Sequence, residues 1–302
     1  MSHENIRERD SRESFVSRRA VLRTSGTAIA GAGALLAGSS PVAAGDKKGG
    51  CDDPPWSFPR VTTRDHFETS NGVQLTDGND EYNYEYAGDG IPGVHDPAPA
   101  ELLVFVHGWN NDDEGAVCTF GDAAGTFSSE GYYNPVVGFS WDADHGWYDA
   151  TEIAERNGAK LAYFTYSYKS SNPDVRVRYV AHSLGARVAL MALKNLNHWD
   201  RPDDVTSVSI LGGAADDDSV AMEGTYGEDI SEAAGHVDNY WMGDDDVLNW
   251  AYGFAEWGEA VGNDGCDGTA PWNYTDYDVG YVPDHGSYYQ DDGCVHEVVA
   301  NF

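Results

Sequence analysis

"RVRYVAHSLGARVAL", residues 176–190, joins two apolar patterns of different period through a polar His182-Ser183 step. Before the step, "VRVRYVA" (175–181) is the short apolar run expected of a strand buried on both faces. After it, Ala186, Leu190, Leu193 and Leu196 fall close to one stripe, as in a helix over 184–197. A strand running directly into a helix leaves Ser183 on a sharp turn. Ala181 two residues before and Gly185 two residues after keep side chains small where the turn's backbone must lie against neighbouring strands. Such a turn lifts the hydroxyl clear of the sheet and points it toward the helix N-terminal amides. The same stretch also reads as an ordinary polar turn, so the rest of the chain has to decide.

Further runs of the same kind flank it. "ELLVFV" (101–106), "PVVGFSW" (135–141), "VTSVSIL" (205–211), "HVDNYW" (236–241) and "YDVGYV" (277–282) read as strands, and 149–164 reads as a helix. Two short strands are expected around 61–86, where "YNYEY" alternates and "TDGND" is turn-like. Residues 251–276, rich in Gly, Trp and Asp, read as an irregular excursion over the sheet edge. Strands alternating with helices imply an α/β class with a mostly parallel central sheet covered by helices on both faces. In such sheets, working residues gather on loops just beyond the carboxyl ends of the strands.

Composition narrows the partners. Among 302 residues, 18 Lys+Arg stand against 51 Asp+Glu, a formal charge of −33. A nucleic-acid partner is excluded on charge, because its phosphates would be repelled. The 41% hydrophobic and 12% aromatic content argues against an acidic disordered chain. An acidic surface with so few lysines resembles that of proteins from salt-loving archaea, where concentrated salt screens the repulsion.

"SRRAVLRTSG" with Arg18-Arg19, followed by "TAIAGAGALLAG" and the small residues Val42 and Ala44, resembles a twin-arginine export signal over 1–44. The resemblance implies the twin-arginine export machinery as a partner and a secreted protein. An uncleaved signal anchoring the chain to the outer face of the membrane is the alternative; no later segment is long and apolar enough to cross a bilayer. Residues 45–60, rich in Gly, Pro and charge, read as a flexible arm, which leaves 61–302 as the main domain. Cys51, Cys118, Cys266 and Cys294 all follow the signal and show no CxxC spacing, favouring two disulfides over a metal site. Cys266–Cys294 would close a loop-like segment near the C terminus, leaving Cys51–Cys118; free buried thiols are the alternative.

"AHSLG" resembles the nucleophile elbow of the α/β-hydrolases, with Ala181 in place of the usual first glycine, as in some small secreted bacterial lipases. Upstream, "LLVFVHGWNND" sets His107-Gly108 directly after a strand and resembles the oxyanion loop of the same family. The resemblance implies that Ser183 is the nucleophile and that the amides of Trp109 and Leu184 form the oxyanion hole. It gives His107 a role in shaping its loop rather than in proton transfer, and Gly108 the role of letting backbone approach substrate.

The family order of serine, acid and histidine leaves His198, His236, His285 and His296 as bases. His198 ends the helix after the nucleophile, and His236 opens a strand at the wrong end of the sheet. His285, in "VPDHGSYY", follows the last strand and resembles the loop histidine of the fold; His296 is the alternative. Family members resemble "MGDDDVLNW" as an acid two residues before a Val-Leu pair, which selects Asp245 over Asp244 and Asp246. Asp216, Asp217 and Asp218 form a rival cluster after "VTSVSILGGAA". Neither acidic run has calcium-loop spacing, so no metal and no cofactor are expected.

The resemblance covers about 100–290 and implies an exported serine hydrolase cleaving carboxylic esters, whether lipids, small esters or a polymeric ester. Two other readings share the fold: a non-catalytic exported binding or surface protein, and a triad peptidase or acyltransferase.

Overall fold

In the computed structural model, which describes residues 51–202, 204–254 and 258–302, the apolar runs of the sequence line up as the middle of one sheet. The expected export signal, and residues 45–50 of the expected arm, lie outside the described residues. In chain order the strands are β1 (Arg60–Thr62), β2 (Phe67–Glu68), β3 (Gln74–Leu75), β4 (Glu85–Ala87), β5 (Glu101–Val106), β6 (Val136–Ser140), β7 (Arg176–His182), β8 (Val205–Leu211), β9 (Ala234–Trp241) and β10 (Tyr274–Asp278). The helices are α1 (Asp113–Ser129), α2 (Trp147–Ser171), α3 (Gly185–His198), α4 (Gly227–Ala233), α5 (Asp246–Phe254), α6 (Val261–Asp264) and α7 (Val295–Ala300).

Eight strands form the main sheet in the order β10-β9-β8-β7-β5-β6-β1-β4, while β2 and β3 pair separately. Only the β1–β4 pair at the edge is antiparallel; all other neighbours in this sheet run parallel. From β5 the chain first adds β6 on one side and then crosses to place β7 on the other. The carboxyl ends of β5 and β7 are therefore a topological switch point, from which the neighbouring loops run in opposite directions.

Burial explains why these runs are inner strands. All six residues of β5 are buried, and only Arg176 of β7 is exposed. On one face Leu103, Phe105, Val180 and Leu211 pack with Val117, Phe120 and Phe127 of α1 and Val295 and Val298 of α7. On the other, α2 and α3 pack against each other, with α4 beside α3.

Several expectations are corrected. The last strand is Tyr274–Asp278 rather than 277–282; Val279 and Val282 instead close a turn, Val282 N donating to Val279 O, and bury their side chains in the core. Residues 251–276 are not an irregular excursion, since they hold the end of α5, all of α6 and the start of β10. The 61–86 region carries β1 to β4 except for Arg60 at the start of β1 and Ala87 at the end of β4, not two strands. Helix α1 has no strong pattern in sequence, being rich in Gly, Thr and Asp. It is held by the Asp112 carboxylate accepting from Gly115 N at 2.9 Å and by its buried Val117, Phe120 and Phe127.

Cys51 is disulfide-bonded to Cys118 of α1, and Phe58 stacks on Phe120 at 5.8 Å, so the described part of the arm is tied onto α1. The expected Cys266–Cys294 bridge does not form; both cysteines are free thiols. Cys266 follows α6, with its amide donating to Asp276 beside β10. Cys294 is buried under α7, its thiol donating to Tyr288 O at 3.5 Å. Burial pushes the Cys266 thiol up to about 11 and that of Cys294 higher still, which keeps both protonated. Among the described residues no helix is long and apolar enough to cross a membrane.

Candidate active site

Strand register fixes what can meet. Val106 pairs with Ala181 and His182 with Leu211, so His107-Gly108 and His182-Ser183 leave the sheet side by side. Leu211 pairs with Tyr240 and Trp241 with Asp278, so the later loops depart from the same edge.

Ser183 adopts φ 55°, a left-handed conformation rare for a residue with a side chain, and is 5% exposed. The surroundings over-determine it. Its N–H donates to Leu211 O at 3.0 Å, and its carbonyl accepts from Ala186 N and Ala214 N, each at 3.0 Å. Helix α3 begins two residues later at Gly185. A Cβ at position 185 would lie 2.6 Å from Val106 O and 2.7 Å from His107 O; one at Gly108 would lie 2.6 Å from Ser183 Cβ. Both glycines are required by this close approach. Ala181 is fully buried within β7.

His285 lies in the loop after β10. Its Nδ1–H donates to Asp245 Oδ2 at 2.6 Å, and Asp245 is completely buried. The other ring nitrogen, Nε2, is buried with no hydrogen-bond partner among the described residues. In the neutral tautomer with the proton on Nδ1, Nε2 is the acceptor nitrogen of the ring. Asp245 Oδ1 accepts from Val247 N and Leu248 N, each at 3.1 Å, in the first turn of α5.

The alternatives stand elsewhere. Asp244 and Asp246 are exposed. Asp216 bonds Arg187, and Asp217 and Asp218 lie in the 3₁₀ turn Asp217–Val220. His198 ends α3, His236 sits in β9 with Nε2 3.4 Å from Asp238, and His296 is exposed beside Glu297. None of these is bonded to His285.

His107 is a structural histidine in its contacts. Nδ1–H donates to Gly108 O at 2.9 Å, Nε2 accepts from Trp141 N at 3.2 Å, and the ring stacks on Trp141. These bonds fix the path of residues 107–109. The amides of Trp109 and Leu184 find no backbone acceptor among the described residues. The Trp109 indole donates to His145 O at 2.8 Å, stacks on Trp250 of α5 and meets Trp147 edge-on. Nothing local in the sequence marks Trp147 or the link from Trp109 to α5, because three segments distant in the chain meet there. Among the described residues no group of three or more His, Cys, Asp or Glu side chains is placed to hold a metal ion. A cleft of about 600 Å³ between the 241–244 and 278–283 loops is lined by neither Ser183 nor His285 and lies outside this arrangement.

A family model described as alpha/beta hydrolase of unknown function (DUF900) matches residues 94–225, from just before β5 to beyond the 3₁₀ turn. With its eight-stranded, mostly parallel sheet and flanking helices, the chain has the α/β-hydrolase fold. No curated protein matches it. Among solved structures it is similar to a cutinase-like protein from Cryptococcus sp., with 14% identity over 66% of this chain and 91% of that one, TM-score 0.36. It is similar to a lipase-esterase related protein from Clostridium acetobutylicum, with 15% identity over 67% and 94%, TM-score 0.37. A fungal esterase from Rhizomucor miehei aligns with 12% identity over 81% and 83%, TM-score 0.40.

Proposed function

We propose that the protein is an exported serine hydrolase acting on carboxylic esters through Ser183, His285 and Asp245. The observation that carries the reading is the buried Asp245–His285 bond of 2.6 Å, with His285 Nε2 unpartnered among the described residues and its ring 4.8 Å from that of His182, the residue before Ser183 on the strand-to-helix turn. In this mechanism His285 Nε2 takes the Ser183 proton as Oγ attacks the ester carbonyl. The amides of Trp109 and Leu184 receive the oxyanion, and the imidazolium is held by Asp245. Collapse breaks the bond to the alcohol, to which His285 returns the proton. Water then cleaves the acyl-serine by the same route, regenerating the enzyme and releasing the acid. Esters fit because Trp109, Trp147 and Trp250 pack together at the residue that supplies the proposed oxyanion donor, an aromatic neighbourhood suited to an apolar acyl or alcohol group.

Export through the twin-arginine route and function in concentrated salt belong to the same proposal, resting on Arg18-Arg19 and the charge of −33. The test is labelling with a fluorophosphonate in molar salt, beside a panel of nitrophenyl esters and peptide amides. Wild type is expected to be labelled and Ser183→Ala not, with esters turned over in preference to amides. Equal labelling of both proteins overturns catalysis; turnover of amides alone overturns the substrate class.

A further inference from the structure

We infer that His182, the residue immediately before the proposed nucleophile, is a positioning residue that holds His285 at its working height beside Ser183; this rests on the triad reading above. His182 Nε2–H donates to the backbone carbonyl of His285 at 2.7 Å, in a buried bond between residues 103 positions apart. Among the described residues this is the only hydrogen bond made by the His285 backbone. The bond to Asp245 fixes which nitrogen of His285 carries the proton and how the ring is turned. It does not prevent the loop from sliding, because a ring pivoting about Nδ1 still carries Nε2 away from its target. A second anchor on the carbonyl removes that freedom.

Packing supports the same role. The His182 and His285 rings lie 4.8 Å apart, and the edge-on contact of His182 with Tyr289 is 5.1 Å. The His182 ring runs alongside the glycine of the oxyanion loop: a Cβ at position 108 would lie 3.1 Å from His182 Nδ1. Because His182 and Ser183 are consecutive, one short piece of backbone sets both the nucleophile and the support of its base. Their relative placement then depends on a single junction rather than on two independently anchored loops. Displacing a reacting atom by about 1 Å can cost a hundredfold in rate, so such a support acts on kcat more than on KM.

The experiment compares His182→Gln, whose amide keeps an N–H donor at similar reach, with His182→Leu, which keeps bulk and loses the donor. Each is measured in molar salt for kcat, KM and melting temperature. The Leu variant is expected to lose kcat ~10- to 100-fold with KM within about twofold, and the Gln variant to recover most of the loss. Equal kcat in the two variants overturns the inference, as does a loss confined to melting temperature. Should the Leu variant not fold, ¹⁵N-histidine spectra of wild type, assigned with His182→Gln, decide the matter. A protected Nε2–H on His182 supports the anchor, and a His182 protonated only on Nδ1 overturns it. The spectra need no turnover, so failure of this inference is distinguishable from failure of the ester-hydrolase reading, which Ser183→Ala tests alone.

Discussion

Asp245 grips His285 with one carboxylate oxygen and the start of α5 with the other. Oδ2 accepts the His285 Nδ1–H at 2.6 Å, while Oδ1 accepts the amides of Val247 and Leu248. The same side chain is thus a helix cap and the orienting group of the proposed base. Two substitutions separate these roles. Asp245→Asn keeps an oxygen for the cap but loses the charge that holds the imidazolium and the tautomer. It is expected to lower kcat by roughly three to four orders of magnitude, with melting temperature nearly unchanged. Asp245→Ala removes the cap as well and should cost a further 1–2 kcal/mol or so of stability by denaturant titration. The exposed neighbour Asp244→Ala should change neither.

Contacts around the turn are as tight as those at the acid. Gly108→Ala would drive a methyl against Ser183 Cβ, 2.6 Å away, and move the hydroxyl relative to its base. An approximately hundredfold fall in kcat/KM is expected. Gly185→Ala meets two carbonyl oxygens instead, so its main effect is on the fold, at about 1–3 kcal/mol. Ester turnover and melting curves measured together distinguish the two outcomes.

Lys160 makes stability depend on pH in the alkaline range. The ammonium is buried, donating to Asp80 O, Asn83 O and Asn83 Oδ1, and burial pushes its pKa down from 10.5 to about 8 against the pull of Glu81, Asp80 and Glu85. Between those values the unfolded chain holds more protons than the folded one, so stability rises with pH. The full effect is at most about 3 kcal/mol. Buried Tyr179 and Tyr226, whose pKa values burial raises, reverse the trend above pH 10. The Cys266 and Cys294 thiols, held protonated in the fold, oppose this rise above about pH 9, so the test is the difference: the denaturant midpoint of wild type should gain on that of Lys160→Met from pH 8 to 10.

Charge sets the response to salt. With 51 acidic against 18 basic residues, lowering salt from molar to about 0.1 M lengthens the Debye length from about 3 to about 10 Å and exposes surface carboxylates to one another. A fall in melting temperature of roughly 10 °C is expected, corresponding to a few kcal/mol for a domain of this size. An unchanged melting temperature would contradict it.

The inner strands and the turn at Ser183 were legible because each is a local pattern. A buried parallel strand needs a continuous apolar run, and a strand-to-helix turn needs small neighbours. The edge strands, helix α1 and the true position of β10 were not legible, since short edge strands and Gly-rich helices take their stability from the surfaces they meet. Asp245 stood in a run of three acids that local chemistry cannot rank; burial against His285 separates it from Asp244 and Asp246. The thiols show the same limit, for Cys266 and Cys294 invite pairing in sequence yet lie apart, one beside β10 and the other beneath α7.

By itself, then, the sequence determined the alternation of strands and helices, the acidic surface and the sharp turn that displays a serine, because all of these depend on neighbours within a few residues. Only the tertiary structure decided that the Asp245 carboxylate meets the His285 imidazole, and that the histidine before the serine bonds the backbone carbonyl of that same His285. Such pairings join residues 40 and 103 positions apart, and strand order and burial bring them together.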